Sequence, residues 1–197
     1  ASDVYKRQLG GRTALGIGSG MGEMERAPLL AEALRTGLPT VLDADALNAL
    51  SRERGLLRLL HARCMLTPHP AEMARLCGCE TAAVTADPVA AAREAAARFG
   101  CVVLLKGATS CISDGRDVYL NTSGNPGLAK GGSGDVLTGI ALALLAQGLK
   151  PLEAACAASY LLGASADRAY AILGNRMLLA GDVIDAISQE IRAGRVR

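Results

Sequence analysis

Four short aliphatic runs, each followed by a stretch of helical period, leave this chain little choice of architecture. Residues 13–17, 39–43, 64–67 and 101–106 are apolar and rich in β-branched or aliphatic side chains. Alanine-rich segments at 23–35, 46–54, 71–76 and 88–99 follow them, the last with Val89, Ala92, Ala96 and Phe99 on one predicted face. Strand-then-helix repetition of this kind predicts an α/β fold with a largely parallel sheet flanked by helices. Residues 110–114 and 117–121, on either side of Gly115-Arg116, predict a β-hairpin near residues 110–121, because Asp-Gly between two strand-like segments favours a tight turn with positive φ. Beyond the hairpin the pattern is helical: 132–146, 151–172 and 182–191 carry apolar residues three and four apart. In the first of these, Val136, Leu137, Ile140, Ala141, Leu144 and Leu145 form the expected buried stripe. No linker, repeat or low-complexity tract divides the chain.

At 197 residues and 50% hydrophobic, the chain can bury one core of ordinary size. A formal charge of +2 with mixed signs provides no field to hold nucleic acid or an anionic membrane, so neither is expected as a partner. No apolar run reaches the roughly 18 to 20 residues of a transmembrane helix, and Ala1 to Gln8 lacks the apolar centre of a signal peptide. A soluble cytoplasmic protein is expected. The six cysteines form no Cys-x-x-Cys pair and no zinc-spaced set, and they are expected to be buried thiols.

The densest chemical signal is Asn125-Pro-Gly-Leu-Ala-Lys-Gly-Gly-Ser-Gly-Asp135, just before an apolar helix. Gly131, Gly132, Ser133 and Gly134 let successive backbone N–H groups turn toward one point, and the helix adds its positive end, which suits phosphate oxygens. Asp135 then stands at the helix start. It can cap the helix, or it can take the proton of a hydroxyl that is being phosphorylated. The segment is neither a P-loop nor a dinucleotide fingerprint.

The other signals lie at strand ends, where ligands of open parallel sheets gather. Lys106, Gly107, Ala108, Thr109 and Ser110 end one strand; Lys106 is either a phosphate partner or an ordinary solvated lysine. Asp43, Asp45 and Asn48 follow another. Two carboxylates without a third ligand resemble a metal site by composition only, and Asp45 can equally cap the next helix. Past a third strand, His69 sits between two prolines that stiffen its backbone, with Glu72 three residues on; a lone histidine is more often a surface or capping residue. His61 reads as structural. Between the first strand and the first helix, Gly16-Ile-Gly-Ser-Gly-Met-Gly22 is a glycine-rich turn, weak evidence when taken alone.

Together, residues 41–48, 66–72, 105–109 and 125–139 resemble, in the same order, the motifs of the ADP- or ATP-dependent NAD(P)H-hydrate dehydratases of the ribokinase-like superfamily. Thr-Pro-His-Pro combined with Asn-Pro-Gly and Gly-Gly-Ser-Gly-Asp carries the resemblance, which runs from about Thr13 to Ile191. It implies a ribokinase-like fold and a metabolite-repair lyase. Such an enzyme phosphorylates the added hydroxyl of the S epimer of hydrated NADH or NADPH, then eliminates phosphate, consuming ADP (or ATP) and releasing AMP (or ADP). Carried over, Gly20, Gly22 and His69 contact the hydrated dinucleotide, while Lys106, Gly107, Ala108, Thr109, Ser110 and Gly134 hold the nucleotide. Asp135 is the base. Mg2+ is implied by the nucleotide alone. A homo-oligomer and an NAD(P)H-hydrate epimerase domain or protein are implied as partners.

The chain departs from the family pattern at Ser19, where proline is usual, and at Gly181, where Ser or Thr is usual. The family's first βα units are expected to be missing, with residues 1–12 non-native or disordered and the domain running from 13 to 197. Two other classes share parts of the pattern. A small-alcohol kinase of the same superfamily, acting on a hydroxymethylpyrimidine or thiazole, would share the fold and the Gly-Asp element but not Thr-Pro-His-Pro. An inactive nucleotide-binding fragment fits the missing first βα units but not the retention of His69, Lys106 and Asp135 together.

Overall fold

The computed structural model describes residues 9–22, 26–174 and 178–194; of the segment expected to be non-native or disordered, residues 1–8 lie outside these. Strands β1 (Leu15–Ile17), β2 (Thr40–Leu42), β3 (Cys64–Leu66) and β4 (Val102–Leu105) pair in parallel. Strands β5 (Ser110–Ser113) and β6 (Val118–Asn121) continue the sheet antiparallel. Spatial order follows chain order from β1 to β6. The helices are α1 (Arg26–Arg35), α2 (Ala44–Arg52), α3 (Pro70–Cys77), α4 (Thr81–Ala86), α5 (Pro88–Phe99), α6 (Ser133–Ala146), α7 (Pro151–Leu173) and α8 (Ala180–Arg192).

Because strand side chains alternate in direction, each central strand feeds two cores. Leu42, Leu66, Val103 and Leu105 meet Leu34, Leu47, Leu50, Met73 and Phe99 from the helices on one face. Val41, Met65, Leu104 and Ile112 meet Leu137, Ala141, Leu145, Ala158 and Leu162 on the other. The strands thus read as continuous apolar runs because both faces are covered. With only 3% aromatic residues, the cores are built mainly from leucine and alanine, with valine and a few methionines and cysteines between them.

Local chemistry sets the helix ends. Asp87 accepts the Ala90 N–H, Pro88 opens α5, and Gly100 closes it at φ +63°, so this helix has the predicted bounds. Val89 is the exception on its predicted face, being exposed. Helix α2 starts two residues earlier than its periodicity predicts, with Asp43 and not Asp45 in the N-cap position, and a 3-10 turn, Arg54–Leu59, follows it. Helix α4 is too short to show a period and has no sequence prediction. In α6 the buried face is Leu137, Thr138, Ala141 and Leu145, with Val136, Ile140 and Leu144 only half-buried.

The hairpin forms, but its loop is four residues long instead of two. The Asp114 carboxylate accepts the N–H groups of Arg116 and Asp117 at 2.9 and 3.0 Å, and these bonds hold it below the usual carboxylate range. Ser113 donates to the Asp117 carbonyl and accepts the Gly115 N–H, so side chains replace the last ladder rung. Gly115 takes the positive φ expected of it, +95°. A Cβ there would also lie 2.8 Å from the Ala97 backbone.

All six cysteines are free thiols; Cys64, Cys101 and Cys111 are buried, Cys77 and Cys156 half-buried, and Cys79 exposed, against expectation. Burial pushes the Cys64 thiol up to about 11 and raises Cys101 further. Stability from keeping Cys64 protonated is therefore present below pH 9.0 and lost as pH rises toward about 11. At neutral pH a thiol reagent is expected to label Cys79 first, and Cys64 and Cys101 only on unfolding; rapid native labelling of Cys101 would contradict the packing. No helix among the described residues is long and apolar enough to cross a membrane.

Candidate active site

Three glycine- or lysine-bearing segments converge on Asp43 at the carboxyl edge of the sheet. Asp43 is 2% exposed. Its Oδ1 accepts a 2.8 Å bond from the Lys106 ammonium, and its Oδ2 accepts a 3.2 Å bond from the Thr138 hydroxyl on α6. Gly18 lies against its backbone: at φ +133°, a Cβ on Gly18 would sit 1.8 Å from the Asp43 carbonyl oxygen, which only glycine avoids. A Cβ on Gly134 would lie 3.3 Å from Asp43 Oδ2 and 3.7 Å from Lys106 Nζ, so the glycine loop passes directly over the pair. The next residue, Ala44, has φ +44°, a left-handed conformation that costs a residue with a Cβ about 1–2 kcal/mol.

Glu72, also buried, connects this cluster to His69. Its Oε2 accepts the His69 backbone N–H at 2.9 Å and lies 3.9 Å from Lys106 Nζ. In return, His69 Nδ1 accepts the N–H groups of Ala71 and Glu72, capping α3 in a reciprocal box. With Nδ1 an acceptor, the neutral ring carries its hydrogen on Nε2, which lies 3.5 Å from Glu72 Oε1. His69 is therefore both a helix cap and, on its half-exposed side, part of a cleft wall.

That cleft, of about 810 Å³, lies over the carboxyl end of β4 and is within the size range of ligand sites. His69, Lys106, Gly107, Ala108 and Ser110 form one side; Asn125, Gly131, Ser133 and Gly134 form another. Gly132 opens α6 at φ +91° in the N-cap position. Asp135 is therefore the third residue of the helix and not its N-cap, and it is exposed next to the cleft's Gly134. Thr109 is exposed beyond the lining. Gly20 and Gly22 are exposed with φ +66° and +62° and open space where a Cβ would be. Asp45 lies in the first turn of α2. Asn48 is directed elsewhere: its amide oxygen accepts a 3.1 Å bond from Arg75, which ties α2 to α3.

The floor of the cleft rests on residues that sequence reasoning missed. Asp167 of α7 accepts the Gly124 N–H and the Asn125 amide, both at 2.9 Å. Asn121 donates to the Ser159 carbonyl and hydroxyl oxygens. Gly163 permits the contact, since a Cβ there would lie 2.2 Å from Ser123 Oγ and 2.6 Å from its carbonyl carbon. The available signal was the polar run 121–125 facing a helix in which Ser159, Gly163 and Asp167 recur every four residues.

A mostly parallel six-stranded sheet flanked by helices, with a glycine-lined cleft where a strand end meets a helix N-terminus, defines the ribokinase-like fold. The family profile described as NAD(P)H-hydrate dehydratase matches residues 3–189, and the chain belongs to that family. It is 45% identical over 94% of its length to an ADP-dependent (S)-NAD(P)H-hydrate dehydratase of Neisseria meningitidis, of which it covers 64%. It is 43% identical over 98% of its length to a bifunctional NAD(P)H-hydrate repair enzyme of Moorella thermoacetica, of which it covers 37%. Among solved structures, the ADP/ATP-dependent NAD(P)H-hydrate dehydratase of Bacillus subtilis, co-crystallised with ATP and Mg2+, superposes with a TM-score of 0.80 at 30% identity, covering 97% of this chain and 70% of that one. The chain thus spans less than two thirds of the length of both curated relatives.

Proposed function

We propose that this chain carries the nucleotide-dependent dehydration of hydrated NADH or NADPH. The observation that carries the reading is the convergence of Lys106, Gly134 and His69 around one cleft at the carboxyl edge of the sheet. The nucleotide phosphates lie against Lys106, Gly107, Ala108, Ser110 and the loop 131–134, whose backbone N–H groups and helix end favour anions. Thr109, just outside the lining, is assigned to the same site by the resemblance alone. The hydrated dinucleotide lies on the side of His69 and the glycine turn at Gly20 and Gly22. Asp135 takes the proton of the added hydroxyl as its oxygen attacks the terminal phosphoryl group, displacing AMP from ADP or ADP from ATP. Breaking the ring carbon–oxygen bond, with loss of a proton from the neighbouring ring carbon, then releases phosphate and restores the double bond of the reduced nicotinamide. Positioning and charge neutralisation account for most of such a transfer.

Among the described residues no group of three His, Cys, Asp or Glu side chains could hold a metal ion. Mg2+ accordingly enters as the companion of the nucleotide phosphates, and no step is assigned to it. A cytoplasmic location, assembly into a homo-oligomer and cooperation with an epimerase belong to the same reading.

The test is to incubate the purified chain with hydrated NADH and ADP and follow reduced nicotinamide together with AMP. Failure to form both products, with phosphorylation of a hydroxymethylpyrimidine or thiazole alcohol instead, would favour the kinase reading. His69→Asn is the informative variant, because asparagine keeps the α3 cap and removes the ring. It is expected to weaken the hydrated dinucleotide more than ADP; equal losses would remove His69 from the substrate side.

A further inference from the structure

We propose that Asp43 is a positioning residue that acts through Lys106, holding the lysine's ammonium at the phosphate-facing wall of the cleft, with Thr138 as the anchor of Asp43 itself. The inference rests on the nucleotide site just proposed and adds residues to it. A lysine side chain has four rotatable carbons and no preferred geometry of its own. Here its ammonium is fixed at 2.8 Å from Asp43 Oδ1, while Glu72 stands off at 3.9 Å. A quarter of the side chain remains exposed, and Lys106 lines the cleft. Asp43 in turn is held at three points. Its second oxygen takes the Thr138 hydroxyl, its backbone N–H donates to Ile17 at 3.1 Å, and Ala44 turns the chain beside it through a left-handed conformation.

Strain at an ordinary residue beside a site persists only where the surroundings fix it. In this case what it fixes is the direction of one carboxylate. Without Asp43, the ammonium is left with Glu72, 3.9 Å away, whose same oxygen already accepts the His69 backbone N–H, so its present position against Asp43 is no longer fixed. An ammonium fixed in place before the ligand arrives binds phosphate without first losing that freedom.

The competing explanation is a buried ion pair that serves the fold alone. A double-mutant cycle on ADP binding, measured by titration calorimetry on the 197-residue chain, separates the two. Lys106→Ala is expected to weaken ADP by about tenfold to a hundredfold, the usual consequence of losing a hydrogen bond to a charged group. Asp43→Asn is expected to weaken it by about tenfold. The double variant should bind no more weakly than Lys106→Ala, because Asp43 has nothing left to position. Wild-type affinity in Asp43→Asn beside a weakened Lys106→Ala, or multiplied losses in the double variant, would overturn the positioning role and leave the nucleotide site standing. Wild-type affinity in Lys106→Ala would overturn both.

Lys106→Ala leaves a buried carboxylate without its cation and can fail to fold, so Thr138 provides a second arm. Thr138→Val removes the donor at nearly constant volume and is expected to weaken ADP severalfold, whereas Thr138→Ser keeps the hydroxyl and the affinity. Equal affinities for the valine variant and the wild type would overturn the proposal.

Discussion

Asp135→Asn is expected to lower turnover by about 10² to 10⁴, the range for losing general acid–base help, with ADP affinity nearly unchanged. The substitution keeps side-chain size and removes only the proton acceptor. The position makes the test clean: Gly132 occupies the N-cap of α6 and Asp135 is exposed in the first turn, so no packing is disturbed. As a first-turn charge alone, Asp135 would contribute only about 0.3–1 kcal/mol through the helix dipole. Loss of that contribution would show in a thermal melt and not in turnover. Following nicotinamide regeneration beside the melt separates the two, and near wild-type turnover would remove Asp135 from the mechanism.

Gly163→Ala should damage stability and ligand binding together. Its new methyl group would meet the Ser123 hydroxyl at 2.2 Å and the Ser123 carbonyl group at 2.6 Å. Because the backbone is among those atoms, no rotamer change relieves the contact, and the segment after β6 must lift away from α7. The expected cost is about 1–3 kcal/mol, as for an overpacked core, which for a chain of this size lowers the melting temperature by about 2–4 °C per kcal/mol. Lifting the segment also strains the bonds from Gly124 and Asn125 to Asp167, so ADP affinity should fall in parallel. Gly139→Ala is the control. A Cβ there meets nothing within 4 Å, and removing a helix glycine should stabilise by about 0.5–1 kcal/mol. A wild-type melt and wild-type ADP affinity in Gly163→Ala would show that the close approach is not required.

The parallel strands and the helices that follow them were legible because burial on both faces leaves unbroken apolar runs, and because Pro88 and Gly100 mark the ends of α5 chemically. Lys106, His69 and Gly134 were legible as strand-end and helix-start residues, and the fold brings them together. Partners distant in sequence were not. That Asp43 receives Lys106 and Thr138, and that Glu72 faces Lys106, depends on the neighbouring positions of β2, β3 and β4 and on the docking of α6. Asn48 shows the opposite case, since its place in a polar cluster after β2 suggested a ligand while its amide faces Arg75. Asp167 shares a four-residue spacing with Ser159 and Gly163 in its helix, but its partner is identified only when the turn at Gly124 is folded against it.

The order of the strands governs how the molecule is made. Since β1 to β6 lie side by side in the sequence in which they are synthesised, each can join its predecessor as it leaves the ribosome, and the first core is complete once β4 and β5 have followed α5. The second core has no such cover until α6, α7 and α8 arrive, so Val41, Met65, Leu104 and Ile112 wait on a half-built sheet for the last third of the chain. A nascent chain stalled after β6 therefore presents an apolar surface of the kind that chaperones bind and that aggregates, and the cleft exists only once that interval has passed.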